Sequence, residues 1–126
     1  MTRDWASRRK RYERDVPAVQ LGNLASNLSR LAWFARQSAD TDVALVFRES
    51  KYFTEWAAPH CSVEQQALLA ELQRQLADWE RQWGKHKPPS AIAQEAQQWS
   101  GRLLESSGLG KWERCQVTGS DGGGTR

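Results

Sequence analysis

The stretch from Ser62 to Lys85, SVEQQALLAELQRQLADWERQWGK, decides how this chain folds. Leu68, Leu69, Leu72, Leu76, Trp79 and Trp83 recur mostly at intervals of three and four, which lines them along one side of a helix with Glu and Arg opposite. Ser62 and Gln65 have the S-x-x-Q spacing of a capping box, in which the hydroxyl takes an orphan N–H and the amide reaches back to the cap. At the other end Gly84 suits the left-handed residue that closes a helix. Lys85 and Lys87 place positive charge where the helix dipole is negative, and Pro88 and Pro89 prevent continuation. The pattern predicts a helix over residues 63–83.

The same period extends outward in both directions. Ile92, Ala96, Trp99 and Leu103, with Leu104 adjacent, predict a helix over 90–107, with Ser90 as its candidate cap and Gly108-Leu109 as its ending. Val43, Val46, Phe47, Ser50, Phe53 and Ala57 share a face over 41–57, with Leu45, Tyr52 and Trp56 beside it. Asp40 or Thr41 can cap this helix, and Pro59 ends it. The run V-A-L-V-F would suit a strand by itself, but the acidic start and the 3–4 spacing favour helix. Over 16–38, Leu21, Leu24, Leu28, Leu31 and Ala35 form a further stripe, which Trp33 and Phe34 widen, and Pro17 fits the first turn. Four amphipathic helices joined by short loops pack most simply as an all-α, antiparallel up-down bundle. The basic N-terminal segment offers a fifth helix, frayed or crossing the bundle.

With 126 residues the chain suffices for one domain, which buries roughly two-thirds of the surface its unfolded form exposes and needs no disulfide or metal staple. Residues 1–15 carry six basic and three acidic residues, and the remainder carries twelve of each sign, so the net charge of +3 belongs to the N-terminal segment. The organisation expected is a basic segment over 1–15, a bundle domain over 16–109 and a flexible tail over 110–126 whose last eight residues are Gly/Ser-rich. Cys61 and Cys115 are far apart, the N-terminus has no apolar signal-peptide core, and no apolar run reaches the roughly 20 residues of a membrane span. A cytoplasmic protein with reduced thiols is the expectation. The sequon Asn27-Leu28-Ser29 falls inside a predicted helix and is set aside.

The usual reaction centres find no template here. Neither His60 nor His86 has an acidic residue three positions before it, as a carboxylate-bridged metal site in a bundle requires. His60 and Cys61 are sequence neighbours, whose side chains do not face each other as base and nucleophile. No Gly-rich phosphate loop occurs. The sequence therefore reads as non-enzymatic, with no catalytic residue, no metal ligands and no cofactor.

Two features stand outside the expected core. Arg8, Arg9, Lys10, Arg11 and Arg14, close to Trp5 and Tyr12, have the composition of a phosphate-binding segment that stacks on bases. The alternative is a solvated helix face pairing Arg9 with Glu13 and Arg11 with Asp15. Seven Trp residues is a high number for this length, and Trp56, Trp79 and Trp83 are candidates for binding a protein partner or else rings that close the bundle ends.

The segments ESKYFTEWAAP (49–59), LADWERQWGK (76–85) and AQEAQQWSGRLLESSGL (93–109) resemble parts of small uncharacterised helical proteins of cyanobacteria, across roughly residues 16–109. That resemblance implies an intracellular all-α protein and brings no activity or site with it.

The reading is a binding or adaptor bundle whose partner is another protein or a second copy of itself. The alternative is a nucleic-acid-associated protein that uses residues 1–15. On this reading deletion of residues 1–15 leaves the melting transition nearly intact. Leu28→Ala and Leu72→Ala, at the centres of two stripes, each lower stability by about 2–5 kcal/mol in urea titrations.

Overall fold

The computed structural model describes residues 4–108, and these form five helices, with no strand among the described residues. They are α1 (Trp5–Glu13), α2 (Pro17–Arg36), α3 (Asp40–Ala57), α4 (Val63–Gln82) and α5 (Pro89–Ser107), with a single 3₁₀ turn, Ala58–His60, after α3. The proposed tail, Leu109 and Cys115 lie outside the described residues. No helix among the described residues is long and apolar enough to cross a membrane.

Helices α2 to α5 form a four-membered ring. α2 packs most extensively on α5 and next on α3, while α4 closes the ring between α3 and α5. Polar contacts give the alternating directions. Lys51 pairs with Glu80 at 2.7 Å and Trp83 reaches back to Asp40, so α3 and α4 are antiparallel. Gln65, at the start of α4, donates to the carbonyl of Ser106, at the end of α5. All five stripe residues of α2 are buried, as are Leu69, Leu72, Leu76 and Trp79 of α4 and Ile92, Ala96, Trp99 and Leu103 of α5. Leu28 and Leu72 are completely enclosed.

Between α2 and α5 the buried set includes small residues, Ala25 and Ala32 on one side and Ala93, Ala96 and Ser100 on the other. The Ser100 hydroxyl donates to the carbonyl of Ala25 at 2.8 Å and lies 3.1 Å from that of Ser29. Side chains of this size let two backbones come close, which multiplies dispersion contacts. Between α2 and α3, Asn27 donates to Ser50 at 3.1 Å and is only 3% exposed, so the sequon asparagine is a core residue.

The helix ends show which sequence signals are used. The Ser62–Gln65 capping box forms with both hydrogen bonds present. Gly84 and Gly108 both take positive φ where their helices stop. Ser90 does not cap α5, because the helix already begins at Pro89, with Pro88 in the cap position. Asp40 is the first residue of α3 and not its cap. Its carboxylate accepts from Trp83 Nε1 at 3.1 Å and, with Asp42, places negative charge in the first turn. The α2–α3 corner contains Ser38 in the left-handed region (φ 53°), held by hydrogen bonds back to α2.

The N-terminal segment forms the fifth helix that the sequence offers, but it contributes to the core instead of lying apart from it. α1 packs on α3 by an inner stripe of Trp5, Arg8 and Tyr12, which step by three and four. Tyr12 is buried, its ring stacked on Phe53 at 4.4 Å and tilted against Trp56 at 5.8 Å. Its hydroxyl donates to the carbonyl of Gln20 at 2.7 Å, and the Gln20 amide donates back to the Tyr12 carbonyl at 3.2 Å. Burial pushes the Tyr12 phenol well above its ordinary pKa, so it stays a hydrogen-bond donor. Arg8 pairs at 2.7 Å with Glu49, whose side chain is only 3% exposed, and Arg30 faces the same carboxylate at 3.7 Å.

Removing residues 1–15 therefore lowers the melting temperature, because it uncovers Phe53 and Trp56 and takes Arg8 from a buried carboxylate. Arg8→Ala alone costs about 3 kcal/mol in urea unfolding, the low end for breaking a buried pair because Arg30 still faces Glu49. Arg9→Ala, which loses only an exposed i,i+4 pair with Glu13, costs less than about 0.5 kcal/mol.

Glu95 generates a pH dependence. Partial burial pushes its carboxyl upward, but hydrogen bonds from Trp79 Nε1 and Lys87 outweigh this and hold it below its ordinary value of 4.5. A depressed carboxyl stabilises the fold above its unfolded pKa, and that stability is lost as pH falls through the lower folded value. Glu95→Gln is thus less stable than the parent at neutral pH, by at most about 1 kcal/mol given its partial exposure. Its melting temperature also falls less on acidification, and thermal melts through the carboxylate range check both.

Candidate functional site

α1 divides its cations by helical phase. Its cap, Asp4, accepts from both the hydroxyl and the backbone N–H of Ser7, and these bonds hold the Asp4 carboxyl below its ordinary pKa. From there Arg8 is carried to the inner side, where besides Glu49 it lies over the rings of Trp5 at 5.5 Å and Phe53 at 5.9 Å. Arg9 is taken by Glu13 at 3.1 Å. Lys10, Arg11 and Arg14 are exposed and form no ion pair among the described residues. The Arg11–Asp15 pair expected from spacing does not form. Asp15 instead stands 3.5 Å from the amide of Asn23.

The three outer cations share one place. With Ser7 they line an open hollow of about 430 Å³. A second hollow of about 200 Å³ adjoins it through Arg11 and is walled by Arg8, Tyr12, Asp15, Asn23 and Phe53. Of the five cations singled out from sequence, three therefore face a common surface, while Arg8 serves the α1–α3 contact and Arg9 an intrahelical pair.

The Trp candidates are distributed differently. Trp56 is buried among Tyr12, Tyr52 and Phe53, with its ring stacked on Tyr52 at 5.3 Å. Trp79 is fully enclosed and bonded to Glu95 at 2.7 Å. Trp83 keeps part of its surface and donates to Asp40, at the opposite end of α3 from Trp56. Sixteen residues of helix separate those ends, about 24 Å at 1.5 Å per residue, so the three rings do not form one face. Trp33, by contrast, is 59% exposed and meets Phe34 edge-on at 5.5 Å. Read in sequence as a widening of the α2 stripe, it in fact points away from the buried Leu31 and Ala35. The available signal was its position out of step with the 3–4 stripe.

Among the described residues no group of three or more His, Cys, Asp or Glu converges as a metal site would require. Burial raises the Cys61 thiol above its ordinary pKa, which suppresses the thiolate, and His60 beside it is exposed. What the exposed chemistry can do is hold anions. Three cationic side chains on one helix face attract phosphate groups without discriminating sequence, and neighbouring aromatic and amide groups add contacts of another kind. No family model, curated protein or solved structure matches the chain.

Proposed function

We propose that this chain is a non-enzymatic binding module whose partner is a nucleic-acid strand, engaged through Lys10, Arg11 and Arg14 on the outer face of α1. The observation that carries the reading is that these cations are exposed, without ion-pair partners among the described residues, and gathered around one hollow. The segment that supplies them holds the chain's whole net charge of +3. Docking of α1 on α3 adds preorganisation. The cations are presented from a fixed helix, so less ordering opposes binding than for a free basic arm.

A protein partner is the second reading, and the exposed ring of Trp33 favours it, since Trp is enriched where protein interfaces concentrate their energy. Salt separates the two. Three phosphate contacts give a plot of log affinity against log salt with a slope of about −2 to −3. An interface centred on Trp33 persists at high salt.

The test is fluorescence anisotropy of labelled single- and double-stranded oligonucleotides with the full-length protein. Lys10→Gln combined with Arg14→Gln removes two contacts and is expected to reduce the slope by about 1.4–1.8. Both positions are exposed, so the melting temperature stays near that of the parent. Absence of binding by the parent at low salt rejects the nucleic-acid reading.

A further inference from the structure

The two hollows that meet at Arg11 differ in chemistry, and the difference matches the two halves of a nucleotide. Among the described residues the larger is lined by Ser7, Lys10, Arg11 and Arg14, which are all hydrogen-bond donors and mostly cations. The smaller, at about 200 Å³, is below the roughly 300–1,000 Å³ of pockets that enclose a drug-sized ligand, so it suits a single flat group. Its wall carries the carboxylate of Asp15, which repels a phosphate. It also carries Asn23, whose amide both donates and accepts, the guanidinium of Arg8, which is committed to Glu49 at 2.7 Å, and the part of the Phe53 ring that Tyr12 leaves uncovered. The contact between Asn23 and Asp15, at 3.5 Å, is at the outer limit of a hydrogen bond, so both groups have capacity for another partner.

We infer that the hollow walled by Arg8, Arg11, Tyr12, Asp15, Asn23 and Phe53 receives one base of a single strand, and that this base carries an exocyclic amino group. The strand's phosphates lie over Lys10, Arg11 and Arg14, and Arg11 stands at the junction. This inference rests on the nucleic-acid reading above and names which strand form and which class of base the site takes. Bases splayed from a single strand stack on aromatic side chains or guanidinium planes, and here the exposed Arg11 guanidinium and the uncovered part of the Phe53 ring supply such surfaces. A carboxylate accepts from the amino group of cytosine and faces the carbonyl of thymine unfavourably. A duplex keeps its bases paired and offers none to a hollow of this kind.

The experiment is a comparison of labelled oligo(dC), oligo(dT) and an abasic strand of equal length, bound to the full-length protein at low salt. Oligo(dC) is expected to bind about tenfold more tightly than oligo(dT), the scale of one base-edge recognition, and the abasic strand no better than oligo(dT). In Asp15→Asn the preference for dC is expected to fall to unity or below, while affinity for oligo(dT) does not decrease because a negative charge has been removed. Thermal melts confirm that this exposed substitution leaves the fold intact. Equal binding of dC and dT by the parent, with the salt slope present, overturns the base site and leaves the phosphate face standing. Persistence of the preference in Asp15→Asn, or a duplex that binds as tightly as its single strand, overturns it as well. Absence of binding by every strand removes both readings together.

Discussion

The seam between α2 and α5 governs the arrangement of the other helices. Ala25, Ser29 and Ala32 on one helix and Ala93, Ala96 and Ser100 on the other leave little side chain along the seam, and Ser100 bonds directly to an α2 carbonyl. With that pair fixed, the leucines of α2 still have an uncovered flank. α3 covers it with Val43, Val46 and Phe47, and α4 fills the remaining side with Leu69, Leu72, Leu76 and Trp79. The buried polar groups reinforce this order. Asn27 ties α2 to α3, and Trp79 ties α4 to α5. Each such bond is worth only about 1 kcal/mol net, but a mispacked helix would leave its donor buried without a partner, which costs more.

On α1 one residue type does two unlike things. Arg8 lies in phase with Trp5 and Tyr12, so its guanidinium is laid over aromatic rings and spent on a buried carboxylate. Arg11, three residues on, is turned outward beside Lys10 and Arg14. The inner cation fixes the platform and the outer ones are what the platform displays. A loss of charge at Arg8 and one at Arg14 therefore differ in kind, although both belong to a single basic run.

Most of the bundle was legible in the sequence because its helices announce themselves locally. The capping box at Ser62 and Gln65 and the stripes of α2, α4 and α5 all depend on neighbours within about a turn. The docking of α1 was not legible. Trp5, Arg8 and Tyr12 do form a 3–4 stripe, but an arginine at its centre reads as solvent-facing until Glu49, 41 residues away, is known to be its partner. The Trp residues misled for a related reason. A ring's size marks it as energetically important, but only packing decides whether it is enclosed, as Trp79 is, or exposed, as Trp33 is. Of the candidate site, the cations were visible in the sequence. The hollow beside them was not, because Phe53 and Asn23 come from other helices.

The order of the helices along the chain has a consequence for biogenesis. The Tyr12–Gln20 corner closes over 8 residues, whereas the Ser100–Ala25 bond spans 75. Local closure is fast and long-range closure slow, so α1 and α2 meet early and the α2–α5 seam forms late. During synthesis α2 emerges well before α5, the helix with which it packs most extensively. Until α5 is made, the face of α2 that it covers, with Ala25 and Ala32, stays open, and transiently exposed apolar surface of this kind is what chaperones exist to shield. A chain truncated within α5 would thus carry α1 to α4 and still lack the partner of its most extensive helix contact.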